Sequence, residues 1–250
     1  MKTNIGFLDS GIGGVTVLRE CIKLLPNFKY IYYSDSINNP YGDKSKEDII
    51  NIVDDIVVKL IGMGCYVIVI ACNTASCICV DYLRDKYREI KFVTVEPAIK
   101  LVHDKENGDS TLVMATKGTI DSERFHILYD KYNNDNFYLL SCVGLADLIE
   151  ADNKIELQTY LFEHLSGYKD KVSSVVLGCT HYPLIKNDIK KVLGDISFYD
   201  GSIGSAIQLK KIIDKFDCLS TDDRDILFLD SSCDIIKEKR FFDILEDNYE

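Results

Sequence analysis

Cys65-Tyr66-Val67-Ile68-Val69-Ile70-Ala71-Cys72-Asn73-Thr74 is an apolar run of strand length that stops abruptly at a polar Asn-Thr pair. Its β-branched centre suits a strand buried on both faces of a parallel sheet. A second stretch, Ser174-Val175-Val176-Leu177-Gly178-Cys179-Thr180-His181, repeats the plan. Each has an apolar strand, then a small residue, a cysteine, and a threonine within two positions. Outward from the first stretch, residues 5–8 and 30–33 precede as strands and residues 92–95 follow. Val15, Leu18, Ile22 and Leu25 recur at helical spacing up to Pro26, and Ile49, Val53, Ile56, Val57 and Leu60 do so up to Gly62 and Gly64. With a helix through Leu83 and Tyr87, this is β-α-β-α-β-α-β, the pattern of a parallel sheet with helices on both faces.

Around the second stretch the pattern restarts. Residues 111–115, 137–140, 174–177 and 196–199 are expected as strands, with helical stretches such as residues 155–165 between them. The break falls between Glu96 and Asp109, where Lys105-Glu106-Asn107-Gly108-Asp109 reads as a polar turn. After residue 205 come helix, strand (226–229) and helix, a tail that the pattern alone assigns to neither half. The expected fold is α/β, with two parallel-sheet domains in a pseudo-symmetric arrangement.

Composition bounds the function. A chain of 250 residues holds one to two domains and can bury a sizeable core. Its nine cysteines (Cys21, Cys65, Cys72, Cys77, Cys79, Cys142, Cys179, Cys218 and Cys233) are odd in number and irregular in spacing, and no signal peptide precedes them. That points to a reducing cytoplasm rather than a secreted disulfide scaffold. The absence of paired C-x-x-C motifs argues against a zinc site, and no metal is expected. Lys plus Arg is 29 against 40 Asp plus Glu, a net charge of −11. Without a basic stripe this argues against nucleic acid or an anionic membrane as partner. Residues 60–80 carry no charge, but Gly62, Gly64, Asn73, Thr74 and Ser76 punctuate them, so the run reads as a buried strand and not a membrane span.

In open parallel sheets ligands bind beyond the carboxyl ends of the strands. There the sequence offers Asp9-Ser10-Gly11-Ile12-Gly13-Gly14, Ser34-Asp35-Ser36 with Pro40-Tyr41-Gly42, Cys72-Asn73-Thr74, Thr116-Lys117-Gly118-Thr119 and Cys179-Thr180-His181. Small, hydroxylic and titratable residues suit a small polar ligand held between two domains. Gly11-x-Gly13 with Asp35 partly fits a dinucleotide fingerprint, although Thr16 takes the third glycine position. A tight strand-to-helix turn explains the glycines equally well. Asp9 suits either a helix cap or a carboxylate tuning a nearby thiol. Seven cysteines read as buried small hydrophobes. Cys72 and Cys179 differ, because each ends a strand before an expected helix, where a helix N-terminus favours thiolate. Two thiols in mirrored positions suggest a symmetric task. Of the four histidines, His181 alone lies in a candidate loop.

Residues 5–14, Pro40-Tyr41-Gly42, Ala71-Cys72-Asn73-Thr74-Ala75-Ser76 and Leu177-Gly178-Cys179-Thr180-His181-Tyr182-Pro183 resemble, in order and approximate spacing, the motifs of the glutamate racemase family. The resemblance implies two α/β domains, residues 1–96 plus 206–250 and residues 97–205, with the active site between them. It implies interconversion of L- and D-glutamate for peptidoglycan synthesis in a bacterial cytoplasm, without a cofactor. It assigns Cys72 and Cys179 as acid/base residues on the D and L enantiomers, assisted by Asp9 and His181 respectively. Ser10, Tyr41, Gly42, Asn73, Thr74, Thr116, Thr119, Glu150 and Thr180 match substrate-binding positions. A proline that the family pattern expects near position 143 is absent. Rival readings are a racemase of another acidic amino acid such as aspartate, a pyridoxal-phosphate racemase using Lys117, and a non-catalytic dinucleotide- or amino-acid-binding protein. The expected partner is the small-molecule substrate glutamate, and a homodimer stays open.

Overall fold

The computed structural model describes residues 4–105, 110–132, 136–216 and 224–246. Four strands open the chain: β1 (Asn4–Asp9), β2 (Lys29–Ser34), β3 (Cys65–Ile70) and β4 (Lys91–Thr94). Between them run the helices α1 (Val15–Leu24), α2 (Lys46–Gly62) and α3 (Asn73–Lys86). Ser45 caps α2 by accepting the Asp48 amide, and Gly64, at φ +81°, makes the left-handed turn into β3. After α4 (Ile99–Asp104) come β5 (Thr111–Ala115), α5 (Lys117–Ile120), α6 (Glu123–Tyr132), β6 (Phe137–Ser141), α7 (Leu145–Glu150), α8 (Lys154–Leu165), β7 (Ser174–Gly178), α9 (Lys186–Leu193) and β8 (Ser197–Asp200). The tail is α10 (Ser202–Lys215), β9 (Asp225–Asp230) and α11 (Ile235–Glu246). Most of the turn expected at residues 105–109 lies outside the described residues.

All strand pairs are parallel. The first sheet has the order β4-β3-β1-β2-β9 and the second β6-β5-β7-β8. Read from the opposite edge, the first four strands of each half share one order: second, first, third, fourth. In each sheet the first and third strands are therefore neighbours, and the chain leaves them in opposite directions. That divergence opens a crevice at their carboxyl ends. β3 and β7, which end next to Cys72 and Cys179, are the third strands of the two halves. β9 extends the first sheet by pairing with β2.

The period-two alternation of the strands sorts their side chains onto two buried faces. Ile5, Phe7, Tyr30, Tyr32, Val67 and Val69 pack with α1, α10 and α11, while Leu8, Ile31, Ile68 and Ile70 pack with α2 and α3. The second sheet has its own core, including Leu112, Met114, Val175 and Leu177 under α7, α8 and α9. The chain leaves the first sheet past Glu96 and returns at Gly201. A Cβ on Gly201 would stand 2.2 Å from the Glu96 carbonyl oxygen, so only glycine lets the two crossings touch.

Among the described residues, no helix is long and apolar enough to cross a membrane. Cys21, Cys65, Cys77, Cys79 and Cys142 are buried, as expected of structural thiols. Cys233 departs from that expectation: it is exposed, at φ +56° in the turn before α11. Cys218 lies outside the described residues.

Candidate active site

The carboxyl ends of the two sheets face each other across one cleft. Ser10, Tyr41, Gly42, Cys72, Asn73 and Thr74 line it from the first sheet, and Thr116, Cys179, Thr180 and His181 from the second. The space left between the walls is about 20 Å³, room for about one water molecule. The walls must part before a larger ligand can enter. Asp9, Thr119 and Glu150, also singled out in the sequence, stand behind this lining.

Cys72 is the N-cap of α3, and its sulfur lies 3.8 Å from the Ser10 hydroxyl. The helix start was expected to favour thiolate. The Ala75 amide does act in that direction, but burial outweighs it and, with the Asp9 charge next in size, pushes the thiol well above its ordinary range. Cys72 is therefore a protonated thiol in this environment. Cys179 is followed by a 3-10 turn, Tyr182–Ile185, which contains Pro183 and leads into α9 at Lys186, rather than directly by an α-helix. Its charged neighbour is a side chain instead. His181 Nδ1 lies 3.8 Å from the Cys179 sulfur, and Nε2 lies 2.6 Å from Glu150 Oε2. Burial opposes charge on His181, but contact with Cys179 and the Glu150 carboxylate overcomes it and holds the imidazole well above its ordinary value. Burial opposes charge on Glu150 too, and the His181 hydrogen bond and charge hold its carboxyl below its ordinary value. The two directions agree: His181 is an imidazolium and Glu150 a carboxylate. The pseudo-symmetric thiols thus have unlike surroundings.

Asp9 is fully buried at the end of β1. Its Oδ2 accepts the Gly14 amide at 2.8 Å and the Gly11 amide at 3.4 Å, and Oδ1 accepts the Thr180 hydroxyl at 3.4 Å. It holds the glycine turn that leads into α1, whose N-cap is Gly14, and touches the opposite half in the same geometry. Burial raises its carboxyl above the ordinary range.

The glycine turn is not a nucleotide cradle. A Cβ on Gly11 would stand 2.6 Å from Glu150, and one on Gly13 would stand 2.6 Å from His181. The turn is the seat on which the Glu150–His181 pair of the other half rests, and the Ile12 amide donates to Glu150 Oε2 at 3.3 Å. Asp35, the expected ribose contact of the dinucleotide reading, instead accepts the Tyr41 hydroxyl at 2.7 Å. That bond fixes a buried ring in the cleft wall.

A hydroxyl triad joins the two halves. Thr74 Oγ1 lies 2.9 Å from Thr116 Oγ1 and 3.3 Å from Thr119 Oγ1. Beside it, the buried Asn73 Nδ2 has no hydrogen-bond partner, a free donor suited to a carboxylate. Lys117, the lysine of the pyridoxal-phosphate reading, lines the cleft and pairs with Asp121.

Sequence reading passed over Asn39 and Asp147, which also line the cleft. Asp147 had a usable signal, since it precedes Glu150 by three residues on α7 and so shares its helix face.

A model of the Asp/Glu/Hydantoin racemase family matches residues 14–203. Glutamate racemase of Clostridium acetobutylicum is 41% identical over 226 residues, 88% of this chain and 88% of that protein. Glutamate racemase 2 of Bacillus subtilis is 38% identical, covering 97% of this chain and 96% of its own. Among solved structures, Escherichia coli glutamate racemase in complex with L-glutamate and the activator UDP-MurNAc-ala aligns with a TM-score of 0.84 at 27% identity, over 98% of this chain and 95% of that one. Francisella tularensis glutamate racemase in complex with D-glutamate aligns at 0.81 and 28% identity, over 98% and 93%.

Proposed function

The chain belongs to the Asp/Glu/Hydantoin racemase family, and we propose that it interconverts L- and D-glutamate by a two-thiol acid/base mechanism. The observation that carries this reading is the placement of Cys72 and Cys179 at corresponding strand ends of two sheets, on one cleft. Racemisation removes a weakly acidic α-proton from one face and returns a proton to the other, so it needs a base and an acid on opposite sides. From L-glutamate, the Cys179 thiolate takes the α-proton, with the His181 imidazolium as counter-charge. The bonding pair stays on Cα and spreads into the α-carboxylate. The Cys72 thiol protonates the opposite face and becomes the thiolate, while Cys179 is left as the thiol. From D-glutamate each step is reversed.

Asn73, the threonine hydroxyls and the Ser10 side chain supply donors for the substrate's carboxylates, and a closed cleft strengthens these contacts by excluding water. Asp9 acts behind Cys72, and Glu150 behind His181. All the acid/base groups in this scheme are side chains of the chain, so no cofactor takes part. The proposal includes a cytoplasmic location, where the thiols stay reduced, and supply of D-glutamate to peptidoglycan. It also includes the division into residues 1–96 with 206–250 and residues 97–205, which the pairing of β9 with β2 supports.

The test is polarimetry of the purified protein, without additives, on each enantiomer of glutamate and of aspartate. Rotation is expected to decay to zero from both glutamate enantiomers and faster than from aspartate. Faster aspartate turnover, or activity that appears only on adding pyridoxal phosphate, would overturn the reading.

A further inference from the structure

One contact ties the C-terminal helix of the chain to the Cys179 side of the cleft. Arg240 lies on α11, whose Phe241 and Ile244 are buried in the core of the first sheet. Its guanidinium crosses to the end of α7 in the other half. Nη2 donates to the Ile149 carbonyl at 2.6 Å, and Nη1 donates to the Glu150 carbonyl. The final carbonyls of a helix carry the negative end of its dipole, so a two-pronged cation there both bonds and steadies the last turn. From that turn the Glu150 side chain runs to the Ile12 amide and to His181 Nε2, and His181 Nδ1 faces the Cys179 sulfur.

We propose that Arg240 is a positioning residue for the Cys179 half of the site: it fixes the last turn of α7, so that Glu150 is held against His181 and His181 against the sulfur. The inference rests on the thiol mechanism for its consequence in catalysis, but the coupling itself can be read without turnover. Glu150 has one further demand on its position. Its Oε1 is buried without a hydrogen-bond partner, so the carboxylate is anchored through Oε2 alone. With both bonds on one oxygen, the placement of the α7 backbone sets whether that oxygen reaches His181.

The groups facing the pair fix the sign of the test. Cys179 and Asp9 act on His181, as does Asp147 from α7. Lys237 on α11 and Tyr32 on β2 act on Glu150. Removing the Arg240 cation as a bare charge would make protonation of His181 easier and raise its midpoint. Loosening Glu150 removes the contact that keeps His181 charged and lowers it. The two accounts therefore predict opposite shifts.

The experiment is an NMR pH titration of His181 in the full chain, its resonance assigned by loss in His181→Gln, for the parent protein, Arg240→Ala and Arg240→Lys. The midpoint is expected to fall in both variants by about half a pH unit or more, a fraction of the range over which protein histidines vary. The alkaline limb of kcat/KM should move down with it, and kcat should fall several-fold with KM nearly unchanged. An unmoved or raised midpoint overturns the inference. If the alanine variant does not fold, the lysine variant decides alone, because it keeps the charge but lacks the rigid two-pronged fork of the guanidinium. A parent protein that does not racemise glutamate would sink the proposed function and leave the titration result standing.

Discussion

Replacing Cys72 by Ala, and separately Cys179 by Ala, is expected to slow racemisation of either enantiomer by at least about 10²–10⁴-fold, the usual worth of a positioned acid or base. Cys72 is 5% exposed and Cys179 7%, so bulk water is a poor substitute for either. Enantiomers have equal energy, which makes the equilibrium constant one. Each variant must therefore lose kcat/KM equally in both directions, whichever thiol is missing. What separates the variants is proton exchange. Cys179→Ala keeps Cys72, which can still take the α-proton of D-glutamate and return deuterium to the same face. Cys72→Ala should do the same to L-glutamate. Gas-free, reduced samples in heavy water and proton NMR of each recovered enantiomer measure this. Either variant racemising at the parent rate would rule out the two-thiol mechanism.

The largest expected effect on stability is at the C-terminal helix. Phe241 is fully buried, with ring centroids 4.4 Å from Phe228 and 4.7 Å from Tyr32. Tyr32 also stacks with Phe7, and its hydroxyl donates to the Gly11 carbonyl at 2.9 Å. Strands β1, β2 and β9 and helix α11 thus meet in one aromatic cluster that reaches the glycine turn. Phe241→Ala removes the ring at its centre and is expected to destabilise by about 3–5 kcal/mol. For a chain of this size that lowers Tm by roughly 10 °C. Ile236→Ala, on the same helix but 77% exposed, should stay within about 0.5 kcal/mol of the parent. Thermal unfolding followed by circular dichroism compares the two. Equal Tm values would mean that α11 is not part of the first core.

Much of the architecture was legible because both sheets are parallel and buried on both faces. Such strands show as continuous Val and Ile runs, and the helices between them show a clear helical period. Cys72 and Cys179 could be paired in sequence because each follows such a run, and they do close the third strands of two sheets with matching order. The site's electrostatics were not legible. A helix start was expected to act alike on both thiols, but burial depth and neighbours separate them, and neither follows from local sequence. Glu150 and His181 each carried a motif signal. Their bond, across 31 positions, and their seat on the glycine turn depend on how the halves meet. Arg240 had no signal at all, because its contact is with two backbone carbonyls 90 and 91 residues away. Cys233 differs: Asp230, Ser231, Ser232 and Asp234 around it are turn-forming residues, and only its positive φ had no local signal.

The central claim is that two thiols face the substrate from opposite sides, and the most direct measurement is proton NMR of the unmodified protein acting on each glutamate enantiomer in heavy water. At early times the account predicts that the product enantiomer carries deuterium at Cα while the unreacted substrate keeps its proton, from either direction. Product that retains the original α-proton, or substrate that exchanges as fast as it inverts, would point to a single base and contradict it.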